Sequence, residues 1–276
     1  MPKISIITVN LNNKIGLQKT AESVFNQTFK DYEFIIIDGS SNDGSKEYIG
    51  EIKNKLTQFV SEKDTGIYNA MNKGIKMAKG DYVYFLNSGD IFYEKTTLAS
   101  ATEKMCEDIG LYYGDLIYSW PKKQEIVSFP AKLSYQFFVI DNINHQACFI
   151  KKSLFDEIFY YNENYKIISD WEFLIYAICK KEITYEHLQM FISIYDTTGI
   201  STNIKNRKAI YADKEEVIQK YFPLFAFDHK EIAELRLKRV RQFFFIKKHK
   251  AAYRVLKWTM SIILLFLPKF KFDTKY

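Results

Sequence analysis

Nearly continuous apolar runs alternate with amphipathic stretches over the first hundred positions. Residues 4–9, 33–37 and 82–86 are too continuously apolar for half-exposed strands, which predicts three central, buried strands. Between them, residues 14–28 and 66–78 carry apolar side chains at helical spacing. Because strands that alternate with helices form parallel sheets, the pattern predicts an α/β fold with a mainly parallel central sheet flanked by helices.

The second half of the chain has a less regular pattern. Residues 126–129, 147–150 and 191–195 are short apolar runs that predict strands, and residues 171–179 have the spacing of a buried helix. The composition, 47% hydrophobic and 26% charged, is that of an ordinary globular protein and excludes a disordered chain. We therefore expect a single α/β domain over residues 1–228.

Residues 229–276 are strongly basic. They hold 13 lysines and arginines against 3 acidic residues, whereas the rest of the chain holds 26 against 30. Since the basicity belongs to this segment alone, binding to nucleic acid is not predicted. Residues 229–257 predict a basic amphipathic helix, and the apolar stretch 258–267 is shorter than the about 20 residues that span a bilayer.

Two interpretations of this C-terminal helical extension remain open. A basic, aromatic helix followed by a short apolar run is typical of an anchor on an anionic membrane surface. The alternative is a terminal helix packed on the domain with a solvated charged face. The three cysteines, Cys106, Cys148 and Cys179, favour neither a zinc site nor a disulfide framework, and no signal-peptide pattern opens the chain. We expect a cytoplasmic protein, peripheral on the inner face of the plasma membrane.

Polar loops follow each of the three predicted central strands. In a parallel sheet, ligands bind beyond the carboxyl ends of the strands, which selects residues 8–12, 38–43 and 87–90 as converging loops. Neither the glycine-rich fingerprint of dinucleotide-binding folds nor a P-loop is present in the sequence. The phosphates of a bound nucleotide would therefore be neutralised another way, most simply by a metal ion.

Four ordered blocks of sequence resemble one enzyme family. Residues 6–10, 37–45 (Ile-Asp-Gly-Ser-Ser-Asn-Asp-Gly-Ser), 61–74 and 79–90 are similar to the motifs of family 2 glycosyltransferases. The resemblance implies the GT-A fold, a Rossmann-like α/β architecture. It also implies a nucleotide-sugar donor, Mg²⁺ or Mn²⁺ as cofactor, and inversion of the anomeric centre in a single displacement.

The resemblance also implies which residues contact the sugar donor. These are Thr8, Asn10, Asp38, Asp64, Asn72, Asn87 and Ser88. Structural roles are the alternatives: an Asx turn for Asp38, ordinary strand-end polarity for Thr8 and Asn10, and a bond to a loop carbonyl for Asn72.

Asp90 is the expected metal ligand. The sequence Asn-Ser-Gly-Asp at residues 87–90 departs from the usual acidic DXD motif of the family, so that Asp90 is its single carboxylate. One carboxylate can suffice, because Mg²⁺ keeps several waters and is often held by one or two carboxylates plus substrate phosphates.

The general base is expected on the acceptor side. Residues 168–173 resemble the acidic motif of the family at a helix start, in which the matched Asp170 deprotonates the acceptor hydroxyl. Burial beside Trp171 would raise the basicity of this carboxylate. His145, Trp171 and Ser201 are further candidates on the acceptor or phosphate side.

The sequence thus predicts a glycosyltransferase. It would move a sugar from a nucleotide-diphosphate donor, UDP-linked, to a saccharide acceptor that is carried on a polyprenyl lipid, in bacterial capsule or O-antigen assembly. One alternative is a nucleotide-sugar or carbohydrate-binding protein without catalysis, suggested by the missing DXD acids. A second is a sugar nucleotidyltransferase, which lacks support because no glycine- and lysine-rich triphosphate loop lies near Asn10.

Overall fold

The structure is a computed structural model that describes residues 2–106, 109–199, 204–235 and 237–267. The chain divides into two compact units, residues 1–226 and 227–276. Each unit is described by itself below.

The first unit is built on a nine-stranded sheet with helices. Its strands are β1 (Ile4–Asn10), β2 (Tyr32–Asp38), β3 (Gln58–Ser61), β4 (Tyr82–Phe85), β5 (Ile91–Phe92), β6 (Leu111–Trp120), β7 (Lys123–Val127), β8 (Cys148–Lys151) and β9 (Tyr185–Asp196). Its described α-helices are α1 (Lys14–Phe25), α2 (Ser45–Ile52), α3 (Ile67–Met77), α4 (Thr97–Thr102), α5 (Tyr135–Ile140), α6 (Ser153–Glu157), α7 (Ser169–Cys179) and α8 (Arg207–Tyr221). The α/β fold predicted from the sequence is confirmed.

The sheet is parallel in one half and mixed in the other. Its strand order is β3-β2-β1-β4-β8-β6-β9-β5, with β7 paired to β6. Strands β1 to β4 pair in parallel, as predicted. Beyond β4, the pairs β4–β8, β6–β8, β6–β7 and β5–β9 are antiparallel, and β6–β9 is parallel. Strands β6 and β7 are joined by two residues, Pro121 and Lys122, and so short a hairpin connection allows only antiparallel pairing.

Parallel pairing brings three polar strand ends to one edge of the sheet. The register aligns Asn10 at the end of β1 with Asp38 at the end of β2, and Asp38 with Ser61 of β3. Strand β4, which pairs with the other side of β1, ends two residues before Asn87. The convergence expected from the strand-end rule is therefore present.

Helix α3 packs closely on β1 because Gly74 has no side chain. A Cβ atom at Gly74 would lie 2.5 Å from Cγ2 of Ile7, closer than real Cβ contacts allow. The fully buried Ile7 and Ile75 belong to the core at this contact. The close approach positions the first turn of α3, and with it Tyr68, against the edge of the sheet where the polar loops meet.

The second unit consists of short helices: α9 (His229–Glu234), α10 (Lys238–Lys247) and α11 (Lys250–Leu264). The sequence predicted a basic helix followed by a separate apolar run, but the run beginning at Trp258 continues the basic helix α11. The interruption lies earlier, at His249, whose extended backbone (φ −108°, ψ 101°) precedes α11. Hydrophobic periodicity does not reveal such a break.

Large apolar side chains are exposed on this unit. Trp258 is 67% exposed, and Leu265 and Phe266 are 80% and 84% exposed. No helix among the described residues is long and apolar enough to cross a membrane.

Candidate active site

A cavity of about 740 Å³ opens at the edge of the sheet where the polar strand ends meet. Its volume is within the range of about 300–1,000 Å³ that is usual for small-molecule sites. Eight of the residues predicted from the sequence line it: Asn10, Asp64, Asn87, Ser88, Asp90, His145, Asp170 and Trp171. Thr8, Asp38 and Asn72 do not, and Ser201 lies outside the described residues.

Asp38 is a buried hydrogen-bond acceptor behind the cavity wall. Its Oδ1 accepts bonds from Asn10 Nδ2 (2.8 Å) and Ser41 Oγ (2.5 Å), and its Oδ2 accepts bonds from the Ser41 amide (3.0 Å) and Ser61 Oγ (2.7 Å). Burial opposes ionisation, but these hydrogen bonds outweigh it and lower the pKa of Asp38 below its usual value. The carboxylate thus joins β1, β2 and β3 at their ends.

Asn10 and Thr8 both lie on strand β1, but their side chains have different surroundings. The amide nitrogen of Asn10 is engaged by Asp38, but its buried Oδ1 has no hydrogen-bond partner among the described residues. Asn10 is among the residues that line the cavity. The hydroxyl of Thr8 donates to the Leu86 carbonyl (2.7 Å), so Thr8 ties β1 to the segment after β4.

The side chains of Asp64 and Asn72 bind other residues of the protein. Asp64 Oδ1 forms a 2.6 Å ion pair with Lys73 on α3. Asn72 exchanges two hydrogen bonds with the backbone of Tyr161 (2.8 and 3.0 Å) and donates to Glu163 Oε1. The loop-bracing alternative considered for Asn72 is therefore the arrangement found in the structure.

The Asn-Ser-Gly-Asp segment forms a turn that presents Asp90. The Asp90 amide donates to the Asn87 carbonyl (2.9 Å), and Gly89 adopts a positive φ of 111°. A Cβ atom at Gly89 would lie 3.1 Å from Asp196 Oδ2, so glycine also allows Asp196 to approach. Asp196 was not predicted as a site residue. It ends β9, and the strand-end rule applied to the predicted strand 191–195 would have identified it.

Burial raises the pKa of Asp90 to about 6, although its oxygens accept bonds from the Asp196 amide and from Gln146 Nε2, both 2.9 Å. The carboxylate of Asp196 also opposes its ionisation. A cation between the two would relieve that repulsion. The environment thus suits a positive ion.

The atoms around Asp90 are the oxygen ligands that Mg²⁺ and Mn²⁺ prefer. Asn87 Oδ1, Ser88 Oγ and Gln146 Oε1 are buried and have no partner among the described residues. Within those residues, no group of three or more His, Cys, Asp or Glu side chains is arranged to hold a metal. The donor set therefore fits a hard divalent cation that is completed by substrate phosphates and water, and it does not fit a closed protein cage.

Asp170 lies at the start of α7 on another wall of the cavity. Its Oδ2 is 2.9 Å from His145 Nδ1, and its Oδ1 accepts bonds from the Tyr68 hydroxyl and the Trp171 amide, both 2.9 Å. Burial alone would raise the pKa of Asp170, but its hydrogen bonds, first of all the one with His145, lower it. The expectation that burial beside Trp171 increases its basicity was wrong, because the sequence did not show these partners.

Trp171 forms part of the wall beside Asp170. Its indole Nε1 donates to the Phe138 carbonyl (2.8 Å), which holds the ring in place. Lys214 of α8 lies over that ring, with Nζ 4.3 Å from a ring centroid. Lys166 and Lys214 both line the cavity, so positive charge accompanies Asp170 on this side.

Three comparisons with known proteins bear on this site. The family model described as glycosyl transferase family 2 matches residues 5–159. A PGL/p-HBAD biosynthesis glycosyltransferase of Mycobacterium bovis is 29% identical over 212 residues, which cover 73% of this chain and 80% of the relative. The poly(ribitol-phosphate) beta-N-acetylglucosaminyltransferase TarP of Staphylococcus aureus is 40% identical over 104 residues, or 34% of this chain and 31% of TarP.

The fold is similar to a solved structure with a bound nucleotide sugar. The crystal structure of S. aureus TarS 1–349 in complex with UDP-GlcNAc aligns with a TM-score of 0.64 at 17% identity. The alignment covers 86% of this chain and 72% of TarS 1–349. At this identity the similarity shows the fold.

Proposed function

The chain belongs to glycosyltransferase family 2, and from that premise we propose that it transfers a sugar from UDP to a saccharide hydroxyl with inversion. The GT-A fold expected from the sequence is confirmed by the structural similarity. The proposed setting is the assembly of a bacterial surface polysaccharide. The steps below rest on the residues of the cavity.

One observation carries the proposal: the cavity has two chemically different walls. The Asp90 side offers buried oxygen atoms that have no partner in the described part of the chain, which suits a metal-bound diphosphate. On the other wall, Asp170 is ionised and held in place by three hydrogen bonds. A single displacement needs both kinds of group, because the leaving group and the base act on opposite faces of the sugar. The base would take the proton of the attacking hydroxyl.

Asp90 and Asp196 would hold Mg²⁺ or Mn²⁺. A divalent ion there supplies stabilisation of the negative charge on the leaving nucleotide diphosphate. Asp90 is the ligand expected from the family resemblance, and the proximity of Asp196 comes from the structure.

The proposed nucleotide is UDP. Asn10 lines the cavity, and its buried Oδ1, which has no partner among the described residues, would accept a hydrogen bond from a pyrimidine ring N–H or a ribose hydroxyl. The bound UDP-GlcNAc in the similar TarS structure supports the same choice. Asp38 would not contact the nucleotide itself but would hold Asn10 in this orientation through their 2.8 Å hydrogen bond.

The proposed acceptor is a saccharide on a lipid carrier at the membrane. The second unit, residues 227–276, would lie on anionic lipid, since its basic helices carry exposed aromatic and aliphatic side chains. The relatives named as a PGL/p-HBAD biosynthesis glycosyltransferase and as a poly(ribitol-phosphate) beta-N-acetylglucosaminyltransferase support a surface polymer as the product.

A nucleotide-release screen tests the proposed function. Purified protein is incubated with UDP- and GDP-sugars and Mn²⁺ or Mg²⁺, with and without a mixed saccharide acceptor pool, and EDTA serves as the metal-free control. We expect UDP release from at least one UDP-sugar that EDTA abolishes. Binding of UDP-sugars without any release would instead favour the binding-protein alternative, and release of pyrophosphate from a nucleoside triphosphate would favour a nucleotidyltransferase.

A further inference from the structure

A hydrogen-bonded chain of three side chains crosses the floor of the cavity from one wall to the other. His145 Nδ1 lies 2.9 Å from Asp170 Oδ2, and His145 Nε2 lies 3.0 Å from Asn87 Nδ2. The His145 side chain is 14% exposed, and the edge of its ring packs against Phe85. Both ring nitrogens are therefore engaged, one toward each wall.

The proton on the imidazole can be placed from its neighbours. An ionised Asp170 only accepts hydrogen bonds, so Nδ1 carries the hydrogen. In the neutral ring Nε2 then accepts the bond from the Asn87 amide nitrogen. This assignment turns Asn87 Oδ1 away from His145, and that oxygen is one of the buried atoms without a partner among the described residues. One tautomer thus orients both neighbours.

We propose that His145 is a positioning residue, which holds the base Asp170 and the amide of Asn87 in their working orientations at the same time. The inference rests on the proposed function, since it assigns Asp170 as base and Asn87 to the sugar-donor wall. His145 itself touches neither substrate in this role. The following residue, Gln146, donates to Asp90 Oδ2, so the short helical turn His145–Ala147 contacts both walls.

The bond from His145 also keeps Asp170 ionised. The other groups that face this carboxylate are Tyr68, Tyr161 and Cys148, whose pKa values burial raises well above their usual range. They are neutral, so the positive charge on this side of the cavity comes from Lys166 and Lys214, and the hydrogen bond from His145 acts in addition to it. Without His145, the first of the hydrogen bonds that lower the pKa of Asp170 would be lost while its burial remains, so the pKa would rise. Because a base must be ionised, the acidic limb of the pH–rate profile would then move to higher pH.

Two substitutions separate the two halves of this role. In His145→Asn, the side-chain amide nitrogen replaces Nδ1, which keeps the bond to Asp170 and loses the contact with Asn87. His145→Gln reaches the position of Nε2, which keeps the contact with Asn87 and loses the bond to Asp170. The readout is UDP release from UDP-GlcNAc, or from the UDP-sugar that is turned over fastest in the screen, as a function of pH and of donor concentration.

We expect His145→Gln to lower kcat by about 10- to 100-fold, the usual effect of removing a partner behind a functional group, and to move the acidic limb upward. We expect His145→Asn to keep the wild-type pH profile and to raise KM for the sugar donor. Identical losses in both variants, with unchanged pH profiles, would overturn the inference.

A second histidine–aspartate pair provides the matched control. His187 Nε2 lies 3.0 Å from Asp115 Oδ1, the two side chains are 10% and 17% exposed, and neither residue lines the cavity. His187→Asn breaks this pair. It should lower the melting temperature to a similar extent as the His145 variants while leaving the pH profile and the donor KM unchanged.

A measurement without turnover keeps this inference distinct from the proposed function. Nitrogen-15 NMR of the imidazole should show His145 in the Nδ1-protonated tautomer. Its signals are assigned by their loss in His145→Asn. The substitution Asp170→Asn should change the nitrogen-15 shifts of His145. If wild type releases no nucleotide, the proposed function fails while this result still stands. Two results would overturn the positioning role. One is a His145 ring protonated on Nε2. The other is a wild-type rate and pH profile in His145→Gln under conditions in which Asp170→Asn is inactive.

Discussion

The two walls of the cavity are built in different ways. The sugar-donor wall comes from the ends of adjacent parallel strands, whose register alone brings Asn10 beside Asp38. The acceptor wall is assembled from distant segments: Asp170 is bonded to His145, 25 residues away, and to Tyr68, 102 residues away. The two carboxylates show the consequence. Asp38 is surrounded by four hydrogen bonds within the sheet edge, whereas Asp170 is held at the cavity by three.

The difference separates carboxylates that support the fold from carboxylates that can react. A buried carboxylate with all its acceptor positions filled by the protein stabilises structure. One that lines a cavity and keeps its charge through a few oriented partners can accept a proton from a substrate. Substitutions on each wall test this division.

Asp90→Ala should have the largest effect. It removes the buried carboxylate beside Asp196 that we propose as the principal metal ligand, so UDP release should fall to background and UDP binding should no longer depend on Mn²⁺. Metal-dependent binding and turnover are measured by calorimetry and nucleotide release. Near-normal rates, or wild-type rates that EDTA does not affect, would show that the metal assignment is wrong.

Asp170→Asn should lower the rate by about 10²- to 10⁴-fold, the usual loss on removing a general base, with UDP affinity spared. Since the pKa of Asp170 is lowered, the activity that depends on this base should be lost only below the usual range of an aspartate, when the assay holds enough Mn²⁺ to keep Asp90 metal-bound and ionised. A pH–rate series on both proteins checks this. A variant that turns over normally but binds UDP weakly would show that Asp170 acts in UDP binding and is not the base.

Asp38→Asn should destabilise the fold more than it impairs the chemistry. The new amide nitrogen would face hydrogen-bond donors, and leaving such buried groups unsatisfied costs about 1–3 kcal/mol. Because the pKa of Asp38 is lowered in the folded state, its contribution to the free energy of unfolding is present above the unfolded-state pKa. It is lost as the pH falls through the lower folded-state pKa.

Urea unfolding of both proteins between pH 3 and 7 measures that contribution. Unchanged stability in the variant would mean that Asp38 is not the structural centre of the donor wall. Ser61→Ala, which removes a single bond to Asp38, is the milder matched variant and should give a smaller loss.

Truncation after Ala226 should leave both walls unchanged. The segment removed holds the basic helices, which should bind anionic vesicles at about 1 kcal/mol per basic residue near the surface, with an apolar contribution from Trp258 to Leu267 that salt does not screen. The truncated protein should lose vesicle co-sedimentation and keep its UDP release from a soluble donor. Full-length protein that ignores anionic vesicles at low salt would refute the anchor, and unfolding of the truncated protein would assign the helices to the core.

The sequence was most informative where neighbouring strands determine the site. Asn10, Asn87 and Asp90 were expected at converging strand ends, and they line one cavity. The same reasoning could not separate Asn10 from Thr8, because the two differ only in tertiary contacts. The buried Oδ1 of Asn10 has no partner among the described residues, whereas the hydroxyl of Thr8 donates to a backbone carbonyl.

On the acceptor wall, Asp170 and His145 were identified from the resemblance, but their bond was not. No spacing in the sequence indicates that His145, which follows α5, and Asp170, at the start of α7, are in contact. For the same reason the effect on the pKa of Asp170 was predicted with the wrong sign. Strand β6 was also missed, since glycine and aspartate interrupt its apolar pattern at residues 114 and 115.

UDP binding by calorimetry, with and without Mn²⁺, tests the division into two walls most directly, because it needs no acceptor. The account predicts that wild type binds UDP in a Mn²⁺-dependent manner, that Asp90→Ala loses this dependence, and that Asp170→Asn binds as wild type does. Equal loss of affinity in the two variants, or no UDP binding by the wild-type protein, would contradict it.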